Sequence, residues 1–362
     1  MTRLDLFAGL RLAAAVAGFV NHRWLRLPQA IGLLVIALVL SAAVMVTGRL
    51  LGVAGPRTWL AATLTTAELP GVLFNSALGF MLFAGALHLD LRHLRDHAWT
   101  VLALATVGVV LATGFYGLAI SVVFQFVGAS VPLIWCLVLG AIMAPTDPIA
   151  VGGLLRSAGL PPGLLAIITG ESLFNDGAAV VLFTLLLGLA AGTNAGADIT
   201  PLEVIGLFLR ATVGGALLGV AGGAVGARAM ALIDDYNLEI TISLAVVSTI
   251  YALALRAGVS PPIAVVFAGV VIGNRRYGSG MSATTRSNVT LFWSFIDQLL
   301  NTLLFLLMGL ELLTIDTRHF WPGLIGLASL LALERWETDA GFVLTCQARP
   351  TTPRVVIDYD RQ

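Results

Sequence analysis

Long apolar segments separated by short polar loops occupy most of the chain. A transmembrane helix needs about 20 mainly apolar residues, and eleven segments come near that template. They predict spans near residues 4–21, 28–48, 68–89, 98–127, 131–155, 163–192, 201–231, 238–256, 260–274, 289–313 and 319–334. The pattern therefore predicts an all-α, polytopic membrane protein with about eleven helices.

The pattern changes near residue 335. Residues 337–362 mix charge, Pro and Thr with no period of 2 or 3.6, which is typical of a short disordered tail. We therefore predict a transmembrane domain over 1–336 and a hydrophilic cytoplasmic tail over 337–362.

Composition agrees with the membrane class. The 362 residues are 58% hydrophobic and 11% charged, whereas soluble proteins have roughly 25% charged residues. The net charge of zero argues against nucleic acid as a partner. Cys136 lies in an apolar run and Cys346 in the polar tail, so neither a disulfide framework nor a metal cluster is predicted.

Arginines indicate the orientation, because cytoplasmic loops carry the excess of positive charge. Loops after odd-numbered spans hold nine arginines and the opposite side holds five. The first set, predicted to face the cytoplasm, comprises Arg23, Arg26, Arg92, Arg95, Arg156, Arg228, Arg275, Arg276 and Arg286. This places the N-terminus outside.

Two acids, Asp147 and Asp176, lie inside apolar runs. An acid at membrane depth costs about 2.5–3.5 kcal/mol on insertion scales, so its default interpretation is functional. Asp147 lies between Pro145 and Pro148, which remove backbone donors and should open the helix. Open backbone at this depth lines a cavity or is buried, and its carbonyls can bind a cation. Asp147 either binds that cation or only caps the second half-helix.

The segment Glu171–Asp176 carries a second polar cluster. Ser172 and Asp176 are four residues apart and share a helix face, as do Glu171 and Asn175 on the neighbouring face. These oxygen ligands suit Na⁺ or Li⁺, and the carboxylate can take a proton instead. A group that binds either a cation or a proton gives obligatory exchange. The alternative is a buried polar network that joins two helices.

Weaker candidates have structural alternatives. Asp297 and Asn301 either join helices or line a funnel, and we favour the first. Near span ends, Glu311, Asp316, His88 and Asp90 are interpreted as interfacial. Glycines repeat at intervals of four, which predicts close helix packing, at Gly215, Gly219 and Gly223 and at Gly222 and Gly226.

With these residues in view, the chain resembles the sodium/proton antiporters of the first monovalent cation:proton antiporter family. Ala144 to Val151, Gly170 to Phe183 and Asn274 to Leu313 carry the resemblance, and Leu82 to Leu91 adds a looser match. The similarity covers roughly residues 10–335, and its most specific motif is the run from Glu171 to Gly177.

The resemblance implies an inverted-repeat fold with a discontinuous crossing helix, and a dimerisation domain beside a mobile core. Residues 98–192 would form the first core repeat and 289–336 a partial, incomplete second repeat. It also implies a homodimer in the inner (plasma) membrane, with a monovalent cation and a proton as substrates and no resident cofactor.

The resemblance also implies roles for site residues. Asp176 would bind cation and proton, with Asn175 beside it. An Asn-Asp pair in place of Asp-Asp is associated with electroneutral exchange. Ser172 and the carbonyl of Thr146 would complete the monovalent-cation site with Asp176, and Asp147 would satisfy the open helix end.

The resemblance also implies one ion pair, and the chain departs from the family pattern in two respects. Glu171 would form a structural ion pair with a core arginine, for which Arg335 is the best-placed candidate. Many members have acids where this chain has Ala84 and Ser294, so any coordination role of those acids is missing. The match stops after Arg335, before a second crossing helix.

The leading functional hypothesis is therefore a secondary antiporter that exchanges Na⁺ for H⁺. The alternatives are a transport-inactive truncated or frameshifted fragment and, less favoured, a K⁺/H⁺ antiporter. A channel or organic-solute carrier is weaker still, because neither a carbonyl-lined filter nor clustered aromatics occur. The sequence contains no phosphate loop or nucleophile motif, so we do not expect an enzyme.

Overall fold

The computed structural model describes residues 3–51, 69–89, 95–126, 128–146, 162–192, 201–275, 283–311 and 313. All regular structure in these residues is helical, which confirms the all-α class. The helices are α1 (Arg3–Val20), α2 (Gln29–Leu51), α3 (Leu69–Leu87), α4 (Ala98–Phe126), α5 (Leu133–Met143), α6 (Pro162–Ala190), α7 (Pro201–Ala231), α8 (Tyr236–Ala257), α9 (Pro261–Arg275) and α10 (Ala283–Glu311). A π-helical turn, Asn21–Leu25, extends α1, and another, Leu104–Gly108, lies within α4.

These helices fall within or near the first ten predicted spans. The eleventh, 319–334, and the tail 337–362 lie outside the described residues, so the count of eleven stays a prediction. Within the described part of the chain, six helices are long and apolar enough to cross a membrane, namely α2, α4, α6, α7, α8 and α10. Inside the fifth predicted span, 131–155, α5 ends at Met143, next to the two prolines that were predicted to open the helix.

The helices belong to two compact units. The first unit contains α1, α2, α3, α8, α9 and α10, with α7 from Leu209 onward. The second contains α4, α5 and α6. The candidate site described below lies entirely in the second unit.

An aromatic cluster forms part of the core of the first unit. Trp293 on α10 is fully buried, and its ring centroid lies 6.1 Å from that of Phe80 and 4.7 Å from that of Phe83, both on α3. Its indole N–H donates to Ser243 Oγ on α8 at 3.0 Å. Because a buried indole needs a hydrogen-bond acceptor, this contact fixes α10 against α3 and α8.

Polar side chains also connect α2 to α10. Ser41 Oγ donates to the carbonyl of Gly309 at 2.9 Å, and Gln29 Nε2 donates to Thr302 Oγ1 at 3.2 Å. Gln298 donates to the side-chain oxygen of Gln29. These bonds support the structural interpretation of the polar positions on α10.

The glycine stripe of α7 packs against α9. A Cβ at Gly215 would lie 2.7 Å from Ser260 O, one at Gly219 2.1 Å from Ala264 O, and one at Gly223 2.8 Å from Ala268 Cα. Helices approach this closely only where side chains are absent. The predicted packing role is confirmed, and the contact lies within one chain.

Replacing Gly219 by Ala should destabilise the protein. The new methyl must displace a backbone carbonyl, and such overpacking costs about 1–3 kcal/mol. A matched control is Gly206→Ala on the same helix, where a Cβ meets nothing within 4 Å and helix propensity favours Ala by up to about 1 kcal/mol. Thermal unfolding in detergent should show a lower midpoint for Gly219→Ala and an equal or higher one for Gly206→Ala. Equal midpoints for the two variants would contradict the packing.

The second unit also depends on a close helix crossing. A Cβ at Gly140 on α5 would lie 2.4 Å from Thr113 O on α4, and one at Gly117 would lie 3.2 Å from Cys136 O. Helix α6 packs against both partners through small residues, including Ala179 beside Val109. This close packing positions the end of α5 next to the middle of α6.

Candidate functional site

The site begins where α5 ends. Ala144 N still donates to Gly140 O at 2.9 Å, but Ala144 forms a bend and residues 145–146 are non-helical. Pro145 lacks an N–H and cannot continue the helix. The predicted opening of the helix is therefore confirmed where α5 ends, before Pro145. Asp147 and Pro148 lie outside the described residues.

One turn of α6 carries the second part of the site. Asn175 Nδ2 donates to Glu171 Oε1 at 2.8 Å, so the i, i+4 pair predicted from the spacing does form. An amide that donates to a carboxylate is a strong, charge-assisted interaction. The bond fixes the amide plane of Asn175.

Thr146 connects the open end of α5 to this turn of α6. Its Oγ1 accepts from Asn175 Nδ2 at 3.0 Å and donates to Glu171 Oε2 at 3.3 Å. Its carbonyl accepts a hydrogen bond from Ser172 Oγ. Thr146, Glu171, Ser172 and Asn175 therefore form one hydrogen-bonded network across two helices.

The network leaves one buried acceptor unsatisfied. Asn175 is 1% exposed, and its amide nitrogen is directed at two oxygens, which turns Oδ1 the other way. Within the described part of the chain, Asn175 Oδ1 has no hydrogen-bond partner. Leaving a buried acceptor unpaired costs about 1–3 kcal/mol, so such an atom needs a functional or structural explanation.

Asp176 directly follows Asn175 on α6 and lies one turn beyond Ser172. Its side chain is partly buried, whereas Ser172 is 1% exposed. Residues four apart on a helix have Cβ atoms about 5–6 Å apart. Ser172 and Asp176 therefore occupy positions on one face of α6, as their spacing predicted. Arg335, the predicted partner of Glu171, lies outside the described residues.

The comparison with known proteins decides the family. Residues 12–336 match the sodium/hydrogen exchanger transmembrane family. The chain belongs to this family. This confirms the resemblance found from the motifs, and with the apolar helices it identifies a multi-pass membrane protein.

Two bacterial antiporters are similar to this chain over most of its length. The Na(+)/H(+) antiporter NhaP of Pseudomonas aeruginosa is 42% identical over 310 residues, covering 86% of this chain and 72% of that protein. The Na(+)/H(+) antiporter NhaH of Halobacillus dabanensis is 34% identical over 266 residues, covering 71% of this chain and 63% of that protein. These relatives are transporters.

A solved structure shares the fold. The sodium proton antiporter MjNhaP1 from Methanocaldococcus jannaschii aligns with a TM-score of 0.67 at 19% identity. The alignment covers 95% of this chain and 82% of that one. The family assignment and the fold therefore agree.

Sequence reasoning missed the role of the Thr146 hydroxyl. Only its carbonyl was expected to take part, yet the hydroxyl bridges Asn175 and Glu171. It also missed Glu239 on α8, which is 1% exposed. Glu239 lies in the first turn of α8, where an exposed acid is common, so nothing in the sequence indicated its burial.

The structure shows the contacts of two of the weaker candidate groups, the Asp297–Asn301 pair and His88. Asn301 Nδ2 donates to Asp297 Oδ1 at 3.4 Å within α10, so this particular bond does not join helices. The His88 side chain is exposed; its ring nitrogens lie 2.7 Å from Ala84 O and 3.4 Å from Ser294 Oγ. It thus contacts both positions, Ala84 and Ser294, at which the family resemblance led us to expect an acid.

Proposed function

We propose that this protein exchanges a monovalent cation for H⁺, with Na⁺ as the preferred cation. Asp176 is the group that binds the cation and the proton in turn. The observation that carries the proposal is the buried network at the open end of α5. It holds Asn175 with an unsatisfied Oδ1 immediately before Asp176. Family membership supports the same reaction.

The proposed cation site uses oxygen atoms from two helices. Asp176 supplies the carboxylate and Ser172 the hydroxyl on α6, and Thr146 supplies its carbonyl at the end of α5. A carbonyl has two lone pairs, so Thr146 O can accept from Ser172 and still bind a cation. Asn175 Oδ1 is a further candidate ligand. Asp147 is proposed to stabilise the open helix end.

Competition at Asp176 couples the two substrates. Either a cation or a proton neutralises the carboxylate, and a charged group at membrane depth is costly. The empty, ionised site is therefore the least favourable one to reorient across the membrane. Because Asn175 is neutral, one positive charge replaces another, and we propose one-for-one, electroneutral exchange.

The surrounding assembly is also proposed. The arginine distribution supports an N-terminus outside the plasma (inner) membrane and cytoplasmic loops after odd-numbered spans. The family resemblance supports a homodimer, a first core repeat over 98–192 and a contribution of residues 289–336 to the second repeat. Glu171 is proposed to pair with Arg335 in addition to Asn175 and Thr146.

The direct test uses the full purified chain in proteoliposomes that carry an acid-interior proton gradient and a pH-sensitive dye. Addition of Na⁺ should dissipate the gradient, and addition of K⁺ should do so less effectively. A stronger K⁺ response would favour the K⁺/H⁺ alternative. No response above protein-free liposomes would favour the transport-inactive fragment and overturn the proposal.

Ser172→Ala should weaken cation binding without abolishing exchange. Loss of one neutral oxygen ligand costs about 1–1.5 kcal/mol, which corresponds to a roughly tenfold higher half-saturating Na⁺ concentration. The matched control is Ser294→Ala, on α10 and outside the site, for which no change is expected. A half-saturating concentration equal in Ser172→Ala and the native chain would remove Ser172 from the site.

A further inference from the structure

A cavity of about 600 Å³ lies beside the turn that joins α1 to α2. Its charged and polar lining comes from Asn21, His22, Arg23, Arg26 and Gln29. Of the described residues that line it, none is acidic. The cavity is therefore positively charged, and it shares no lining residue with the network around Thr146.

Asn21 holds this turn in a defined shape. Its side chain is 4% exposed; Nδ2 donates to Leu27 O at 2.9 Å, and Oδ1 accepts from Leu27 N at 3.2 Å. Arg26 N donates to Asn21 O at 2.7 Å, and Arg26 has a left-handed backbone with φ of 54°. A buried side chain with both polar atoms satisfied gives a pre-formed turn, which lowers the entropic cost of binding a ligand.

The two guanidinium groups are available at this turn. Arg23 and Arg26 are both exposed, and across the part of the chain that the structure describes neither side chain has a hydrogen bond or an ion pair. Arginine forms paired hydrogen bonds with planar or tetrahedral oxyanions, phosphate above all. The lining thus fits a phosphate group.

An exposed aromatic pair, Phe19 and Trp24, lies at the same end of α1 as the cavity. Phe19 is 65% and Trp24 67% exposed, and their rings meet edge to face at a centroid distance of 6.4 Å. Exposed tryptophan at the end of an apolar helix is typical of the membrane–water interface. Leu12 and Val16 precede Phe19 on α1 and are also exposed and apolar. Such residues are typical of a helix surface that faces lipid. We therefore expect the cavity to lie at the level of the lipid headgroups.

We propose that this cavity binds the phosphate group of an anionic lipid. Arg23 and Arg26 contact the phosphate oxygens, and Trp24 packs against the upper acyl chains. Zwitterionic lipids bind less well, because their ammonium group meets two arginines and no lining carboxylate. The predicted cytoplasmic side of this turn is also where anionic lipids concentrate. The proposal does not depend on the transport reaction.

The test measures lipid binding to the full chain in detergent. Phosphatidylglycerol should raise the thermal unfolding midpoint of the native chain, whereas phosphatidylcholine and inorganic phosphate should not. Each basic residue near an anionic surface contributes roughly a fivefold gain in binding, so Arg23→Gln with Arg26→Gln should raise the half-saturating phosphatidylglycerol concentration about 30-fold. The matched control is Arg228→Gln, which removes an exposed arginine on the same predicted side but outside the cavity.

Three outcomes would overturn the proposal. Equal stabilisation by phosphatidylcholine would remove the charge selectivity, and equal stabilisation by inorganic phosphate would assign the site to a free anion. An equal rise of the half-saturating phosphatidylglycerol concentration in Arg228→Gln would show that the lipid responds to the overall positive charge of the surface and not to the cavity.

A second readout does not depend on the arginine variants. Phosphatidylglycerol with brominated acyl chains should quench native tryptophan fluorescence more than that of Trp24→Phe, and at a lower concentration than brominated phosphatidylcholine. Identical quenching of the two proteins would likewise count against the site.

Discussion

Asp176→Asn is expected to reduce Na⁺-driven proton efflux to the level of protein-free liposomes. The amide keeps the size of the carboxylate but carries no charge and takes up no proton in the working pH range. The variant therefore loses both the cation ligand and the proton carrier in one change. The measurement is dye dequenching in proteoliposomes that contain equal amounts of folded protein.

Asp96→Asn is the matched control for this experiment. It makes the same chemical change at an exposed residue ahead of α4, and it should leave the rate and the half-saturating Na⁺ concentration unchanged. Residual Na⁺-dependent efflux in Asp176→Asn at a rate near that of the native chain would show that another group carries the proton.

Asn175→Ala should have the second largest effect, because it acts on both stability and binding. The substitution removes the donor to Thr146 and the charge-assisted donor to Glu171. Hydrogen bonds to charged groups contribute about 1.5–3 kcal/mol and neutral ones about 1 kcal/mol, so we expect a loss of about 3 kcal/mol. Thermal unfolding should show this loss, and the remaining folded protein should bind Na⁺ more weakly.

Asn301→Ala separates the two effects. Asn301 is also buried in a long helix, but it makes a weaker 3.4 Å bond within α10, in the other unit. This variant should lose about 1 kcal/mol and keep the native half-saturating Na⁺ concentration. If Asn175→Ala is folded and also keeps that concentration, Asn175 has only a structural role.

Several features of the fold and site could be predicted because they depend on local sequence. The long apolar run of α7 was predicted over 201–231 and forms Pro201–Ala231. Pro145 predicted the end of α5, since a missing N–H and a steric clash act within one turn. The Glu171–Asn175 bond followed from helical spacing alone.

The remaining features depend on how helices cross. The Thr146 hydroxyl reaches Glu171 across 25 residues of sequence, and its direction is set by the packing of α5 on α6. The sequence does not reveal that Asn21 is buried. Its side-chain hydrogen bond to Leu27 depends on the shape of the turn between α1 and α2, and the side chain packs against Gly32 of α2. Glu239 lies in an apolar helix whose composition does not reveal that its side chain is fully enclosed.

The most direct test of the central claim is the pH dependence of the apparent Na⁺ affinity of the native chain in proteoliposomes. If cation and proton compete for Asp176, the half-saturating Na⁺ concentration rises as the pH falls. On the acidic side the rise should approach about tenfold per pH unit by mass action. A half-saturating concentration that stays constant from the acidic to the neutral range would contradict a shared carboxylate.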